Sequence, residues 1–567
     1  MDTHIPVDRQ VMVGFLRFYM EADGTMSKTG NILHGDSART NYKIWSVLGN
    51  RKKGKTNGRI RSNQEGALPL RPRQFLCNDN VNTLHSINNN DDSEDSFHRA
   101  ISPILWWAQI FGLLPLSGIS ANLPSSLKFK KISFRTVYAV IVASSISAMA
   151  VLSIIHMIRT LNADSFGVRG GVAEATAGAI FYGNGLCGTI MYLWLSPRWV
   201  ILQNDWKAME RFIDRQNKNK KRDDIMSFEN RFSGIKFLKR TDKRPVCMLT
   251  TSKNHMCTII QGKICKECYK SLYKKEGRDH ATKKTERVMT NKYQRPRLRW
   301  KFIIISSVIL LFALFEHALS VANNSTKFEW GTPNSTFANF LQVYTTKSHN
   351  FILESVDYSF AIGIYIFIVS KIATFVWNFT DLFVMLISTG LAERYKTLNK
   401  RLFVTAKKNA NTIDWCEFRN DYAILSSLVK KVDNDISPII LLSFANNLYF
   451  ICLQLLNGLS GPEAGDILSN LYFFSSFAFL ILRTCAVTLL TARINDQSKT
   501  VLPLLYSCSS STYNIETQRL QYQLTTDDIS LTGLRFFSIT RNFMLALAGA
   551  IVTYEVVLLQ FNVAINK

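Results

Sequence analysis

"TYEVVLLQF", Thr553–Phe561, sets a threonine, a tyrosine, a glutamate and a glutamine among valines, leucines and a phenylalanine. Hydrocarbon penalises each such polar group unless it finds a partner or faces water. The segment therefore reads as a membrane helix that is either packed among others or turned on one face toward an aqueous path. On a helix, residues three, four and seven apart share a face. Thr553, Val556, Val557 and Gln560 make one stripe, and Tyr554, Val557, Leu558 and Phe561 the adjoining one. An apolar seam with a polar end at Gln560 and a ring at Phe561 suits a channel constriction. Ordinary interhelical hydrogen bonding would use the same residues.

The rest of the chain supports a membrane setting. Of 567 residues 47% are hydrophobic, yet the net charge is +26, because long apolar blocks alternate with strongly basic ones. A bilayer core needs about 20 apolar residues per helix. Seven segments qualify: Val137–Ile158, Val172–Ser196, Phe302–Ala322, Tyr358–Gly390, Ser437–Leu459, Ile467–Ala492 and Phe536–Phe561. The expected fold is an all-α membrane protein with seven transmembrane helices. "VMVGFLRFYM" near the start is interrupted by Arg17 and lacks a small-residue cleavage site, so the first span would do the targeting.

Lys and Arg crowd the stretch between the second and third spans and the stretch after the fourth, whereas the loop Asn323–Asn350 holds only Lys327 and Lys347. The positive-inside rule makes the basic loops cytoplasmic, which puts the amino terminus inside and the carboxyl terminus outside. The sequons beginning at Asn323, Asn324 and Asn334 all fall in the loop so placed outside, and Asn334, farthest from the membrane, is the expected glycosylation site. Asn378 starts a fourth sequon but lies within a span. None of the ten cysteines falls outside, so no disulfide framework is expected. The implied division is a cytoplasmic region 1–134, spans one and two in 135–196, a basic cytoplasmic loop 197–301, spans three and four with their outer loop in 302–390, a cytoplasmic region 391–436, spans five and six in 437–492, a cytoplasmic loop 493–535 and the last span in 536–567. The expected location is the cell membrane.

Several motif matches lack their context. Gly49–Thr56 fits a phosphate-loop pattern, but glycines and prolines follow it rather than a helix. Gly183, Gly185 and Gly188 fit G-x-G-x-x-G inside an apolar span, where small residues serve close helix packing. Cys265 and Cys268 alone have C-x-x-C spacing, a weak zinc signal, so no metal or cofactor is expected. No H-E-x-x-H or G-x-S-x-G occurs, and enzyme function is not expected. The basic stretch 241–293 has no aromatic stacking pattern, which favours anionic lipid over nucleic acid.

A second polar set lies on other spans. Glu316 and His317 sit on the third, Glu354, Asp357 and Tyr358 open the fourth, Asn446, Asn447, Tyr449 and Gln454 lie on the fifth, and Asn470 and Tyr472 start the sixth. Sugars need paired acceptors and donors for their hydroxyls and flat aromatic faces for their C–H surfaces, and this set has both. Mutual satisfaction among these groups is the alternative.

The terminal segment resembles the T-Y-hydrophobic-Q-F signature of insect gustatory receptors, with Glu555 as the departure from the apolar run. "FHRAISPILWWAQIFGLLPLSGI" (Phe97–Ile119), "FEHALS" (Phe315–Ser320), "FVWNFTDLFVMLISTGLAERYKTLN" (Phe375–Asn399) and "LTGLRFFSITRNFMLALAGAIVTYEVVLLQF" (Leu531–Phe561) resemble the sugar-receptor subfamily. The resemblance spans roughly 97–240 and 297–561, and the basic insertion and the first ninety or so residues depart from it. It implies the insect chemoreceptor ion-channel fold, a tetrameric sugar-gated non-selective cation channel of taste neurons, homomeric or built with related subunits. It places Gln560 and Phe561 at the gate, with Thr553 and Tyr554 supporting the pore helix, and a subunit anchor around Ala392–Asp435. Sugars and permeant cations are the implied partners. A G-protein-coupled receptor is the first rival reading: Glu393-Arg394-Tyr395 mimics its triplet, but after the fourth span instead of the third. A sugar transporter is the second, and no internal repeat supports it.

Overall fold

The computed structural model describes residues 96–160, 171–232, 298–328, 336–354, 356–408, 413–459, 467–510 and 512–565. The chain divides into two units, Met1–Asp79 and Asn80–Lys567, and all described residues belong to the second. The phosphate-loop-like stretch, Asn334, the C-x-x-C pair and the basic insertion lie outside the described residues.

Among the described residues the fold is helical except for one small hairpin and the isolated Ser117–Lys128 bridge. In chain order come α1 (Phe97–Ile110), α2 (Phe134–Thr160), α3 (Gly171–Phe232), α4 (Leu298–Asn324), α5 (Phe337–Ser348), α6 (Asn350–Leu353), α7 (Phe360–Lys408), α8 (Trp415–Leu459), α9 (Ile467–Lys499), α10 (Leu502–Tyr506) and α11 (Ile515–Thr526). The strands β1 (Thr532–Gly533) and β2 (Phe537–Ser538) then precede α12 (Arg541–Ile565). The seven expected spans fall on α2, α3, α4, α7, α8, α9 and α12. Among the described residues, five helices are long and apolar enough to cross a membrane: α2, α4, α7, α8 and α9.

The central element is α7, which packs against α2, α3, α4, α5, α8 and α9. Every residue from Asn378 to Ala392 is buried. Within it Leu382–Ile387 is an unbroken apolar run, the pattern of a helix enclosed by others. With 49 residues, α7 is about 74 Å long at 1.5 Å per residue, more than twice the ~30 Å hydrocarbon core. It therefore projects from the membrane, as does the 45-residue α8. The two projections pair: Tyr395 meets Ser426 at 3.0 Å, Arg401 binds Asp421 at 3.0 Å and also Glu417, and Tyr422 donates to Asn399.

Close approaches decide where neighbours dock. A methyl at Gly390 would meet the Phe97 ring at 2.7 Å, so only glycine lets α1 seat on α7 there. The Phe97 ring in turn stacks on Trp206 at 3.7 Å. On α3, a methyl at Gly188 would meet Val376 at 2.8 Å and one at Gly185 would meet Ala373 at 3.4 Å, so these glycines pack against α7. Glu393 and Arg394 are engaged within the bundle: Glu393 pairs with Lys301 at 2.5 Å and Arg493 at 2.9 Å, and Arg394 with Glu210.

Besides α7 and α8, other helix boundaries differ from those expected from sequence. α3 runs on through Pro197 to Phe232, because Trp199, Leu202, Trp206, Met209 and Ile213 form a buried stripe at helical spacing beyond the span. The last helix begins at Arg541 rather than Phe536. Asp433 holds Thr532 through its backbone N–H at 2.6 Å and its hydroxyl at 2.8 Å, and the left-handed Leu534 and Arg535 turn the chain into a hairpin. Phe537 then stacks on Phe543 at 4.6 Å and seats the start of α12 against Phe444 of α8.

Candidate functional site

Six helices converge on a cavity of about 370 Å³, within the usual ~300–1,000 Å³ range of small-molecule sites. Helical periodicity brings the polar groups to it. Glu316, His317, Ser320 and Asn324 share one face of α4, and Ser370, Lys371, Thr374, Trp377 and Asn378 one face of α7. Tyr472, Ser476, Phe479 and Arg483 come from α9, Gln454 and Phe450 from α8, Phe181 from α3, and Tyr344, Lys347 and Ser348 from α5, with His349 just beyond it.

The lining mixes donors, acceptors and rings. Ser476 donates to Glu316 Oε1 at 3.1 Å, and Gln454 Nε2 donates to Ser476 at 3.2 Å. Gln454 Oε1 is buried and has no hydrogen-bond partner among the described residues. Lys371 Nζ donates to Tyr344 OH at 2.8 Å and lies 4.6 Å from the Phe367 ring centre. His349 pairs with Tyr182 at 2.8 Å and with Ser348 at 2.6 Å. Burial first, and then the Lys371 ammonium, push the His349 imidazole down to about 3, so it is neutral at ordinary pH.

At one end of the cavity Arg483 enters a buried network. Its Nε lies 2.8 Å from Asp381 Oδ2, its Nη2 donates to Asn447 Oδ1 at 3.2 Å, and its Nη1 donates to Asn378. Asn447 Nδ2 donates to Asp381 Oδ2 at 3.0 Å and Ser443 donates to Asp381 Oδ1. Asp381 is 0% and Arg483 3% exposed, so the pair is fully enclosed.

The sequence-derived residues separate accordingly. Glu316, His317 and Tyr472 line the cavity, with Gln454. Asn447 belongs to the Arg483–Asp381 network. Asn446 accepts from Asn184 beside a separate small pocket, and Tyr449 bonds Thr176 at 2.7 Å. Asp357 is exposed, Tyr358 reaches the Ala338 carbonyl at 3.5 Å, and Asn470 is half-buried; none of the three lines the cavity. The sequence reading passed over Lys371, Tyr344, His349, Trp377 and Arg483. The polar stripe Ser370–Thr374–Asn378 within an apolar span was the available signal.

The terminal stripe has a different setting. Among the described residues, α12 packs chiefly against α8 and α9. Thr553, Val556, Val557 and Gln560 are exposed, with Thr553 donating to the Gly549 carbonyl at 2.9 Å. Tyr554 and Glu555 are half-buried on the opposite side, and Glu555 Oε2 is buried with no partner among the described residues. The helix includes Phe561, whose side chain lies outside the described residues.

The trehalose receptor family model matches residues 57–238 and 279–566. The gustatory receptor for sugar taste 64f of Drosophila melanogaster is 27% identical over 471 residues, 83% of this chain and 82% of that one. The gustatory receptor 5a for trehalose of the same species is 28% identical over 469 residues, 83% and 86% of the two chains. The structure of the olfactory receptor OR5 of Machilis hrabei aligns with a TM-score of 0.50 at 14% identity, covering 82% of this chain and 99% of that one, which shows the shared fold. This multi-pass membrane protein, with the insect chemoreceptor fold, belongs to the trehalose receptor family.

Proposed function

We propose that the chain is a gustatory receptor for sugars that acts as a sugar-gated non-selective cation channel in the cell membrane of taste neurons, as a tetramer of identical or related subunits. The observation that carries this reading is the cavity of about 370 Å³ whose walls combine a carboxylate, cations, amides, hydroxyls and rings. A sugar bound there offers vicinal hydroxyls to Glu316 and a hydroxyl proton to the unpartnered Gln454 Oε1, while Tyr472 and the other rings cover its C–H faces. Lys371 and His317 are further contacts. The relatives named for sugar taste and trehalose support carbohydrate as the ligand class.

In this reading the amino terminus is cytoplasmic, the cavity opens outward, and the paired projections around Ala392–Asp435 join subunits. Thr553, Tyr554, Val557, Gln560 and Phe561 form the pore and gate. The exposed stripe of α12 faces the pore axis, where copies of the helix meet around water. Gating requires that sugar bind the open arrangement more tightly than the closed one, since equal affinity shifts nothing. Whole-cell recording from cells expressing this chain, against mono-, di- and trisaccharides, tests the proposal. Sugar-evoked cation current supports it; stoichiometric sugar uptake without such current contradicts it.

A further inference from the structure

The stretch from α1 to the start of α2 builds a surface that neither the sugar cavity nor the pore uses. After Ile110 the chain doubles back, and Ser117 and Lys128 pair through backbone hydrogen bonds of 2.9 and 3.0 Å. Between this fold-back and α2 lies a groove of about 360 Å³ walled by Trp106, Ile110, Leu113, Phe134 and Tyr138. It runs into a second hollow of about 290 Å³, for Pro115, Phe134 and Arg135 line both. The second hollow is rimmed by Lys128, Lys130 and Arg135 with the hydroxyl of Ser133.

The chemistry of the two ends differs sharply. Phe134 is 87% exposed and Trp106 50% exposed, so the groove shows large apolar surface that a water-facing site would not keep. Lys128 and Lys130 are exposed and make no ion pair among the described residues. No Asp or Glu occurs anywhere from Ser96 to Thr160, so nothing nearby in sequence offsets their charge. Tryptophan and tyrosine beside cations at the end of a spanning helix mark the membrane–water boundary.

We propose that this groove binds one anionic glycerophospholipid. Its phosphate sits among Lys128, Lys130 and Arg135, and an acyl chain lies along Trp106, Ile110, Phe134 and Tyr138. A neutral or zwitterionic lipid fits the apolar end but leaves the cations uncompensated. Each cation contributes about fivefold in affinity near an anionic headgroup.

The test reconstitutes the full chain, without sugar, in phosphatidylcholine vesicles containing a trace of acyl-chain diazirine lipid, either phosphatidylserine or phosphatidylcholine, and maps the photolabelled peptides. The expected result is labelling of 106–138 at least about fivefold stronger with phosphatidylserine. Lys128→Gln/Lys130→Gln lowers it by at least about fivefold toward the phosphatidylcholine level, Lys128→Arg/Lys130→Arg retains it, and Lys400→Gln/Lys407→Gln leaves it unchanged. Soluble glycerophosphoserine does not compete, because the groove requires the chain. Equal labelling by the two lipids, label spread evenly along the spans, or full competition by the soluble headgroup overturns the proposal. Because no sugar is present, failure here is separate from failure of the receptor reading.

Discussion

The Asp381–Arg483 network and the 370 Å³ cavity lie side by side and share Arg483 and Asn378, yet they differ in what surrounds their carboxylates. In the network, Ser443, Asn447 and Arg483 lie against both carboxylate oxygens of Asp381. In the cavity, Glu316 has a hydroxyl on one oxygen, Gln454 leaves its carbonyl oxygen unpartnered among the described residues, and about 370 Å³ is open. A buried charge is tolerated only when paired and hydrogen-bonded. In the proposed function the ion-paired network is structural, and the open cavity is where a hydroxyl-rich ligand binds.

The comparison breaks most visibly at Asp381. Removing one partner of a buried ion pair costs about 3–5 kcal/mol, a large share of a typical stability of about 5–15 kcal/mol. Asp381→Ala is expected to reduce surface expression to a small fraction, and Asp381→Leu/Arg483→Leu to restore part of it. Surface biotinylation checks this, and normal expression of Asp381→Ala would remove the structural role.

Glu316→Gln acts on the other side of the comparison. It keeps shape and removes charge, so surface expression stays intact. A hydrogen bond to a charged group is worth about 1.5–3 kcal/mol, which moves the half-maximal sugar concentration up by about tenfold or more. An unchanged dose–response curve at equal expression would exclude Glu316 from the ligand contacts.

A smaller effect is expected from pH. His349 has a folded value of about 3 against about 6.5 unfolded. Between those values the unfolded chain binds more protons, so stability falls as pH drops through about 6.5 and levels off below about 3. Tyr182, Tyr344 and Lys371 face the ring and supply no negative charge to offset protonation. Thermal unfolding in detergent should shift to lower temperature between pH 7.5 and 5, and His349→Gln should flatten that slope. Parallel slopes would contradict the assignment. The smallest change is Asn334→Gln, expected to remove one glycan with no effect on sugar response; unchanged electrophoretic mobility would leave the outer placement of that loop without support.

Much of this was legible in the sequence. Span length and apolarity located the long helices, and the small residues Gly185 and Gly188 marked close packing that the structure places against α7. Glu316, His317 and Tyr472 were identifiable because an ionisable or hydrogen-bonding group in an apolar span demands a partner. Lys371 and Arg483 demanded one equally, but their partners come from other helices, and no local pattern says which polar face turns toward which neighbour. The same reason separates Asn446, Asn447 and Tyr449 from the cavity, although they share its helix α8 with Gln454. The hairpin before α12 was hidden because its anchor, Asp433, lies about a hundred residues earlier in the chain.

In the proposed channel α12 borders a water path that opens when sugar occupies the cavity. Gln560→Cys, recorded with and without sugar while a charged thiol reagent is applied, tests this most directly. The prediction is that the reagent alters sugar-evoked current quickly with sugar present and slowly without it, whereas the unsubstituted chain is unaffected. A substituted channel that gives normal sugar-evoked current and is never modified, with or without sugar, would contradict the account.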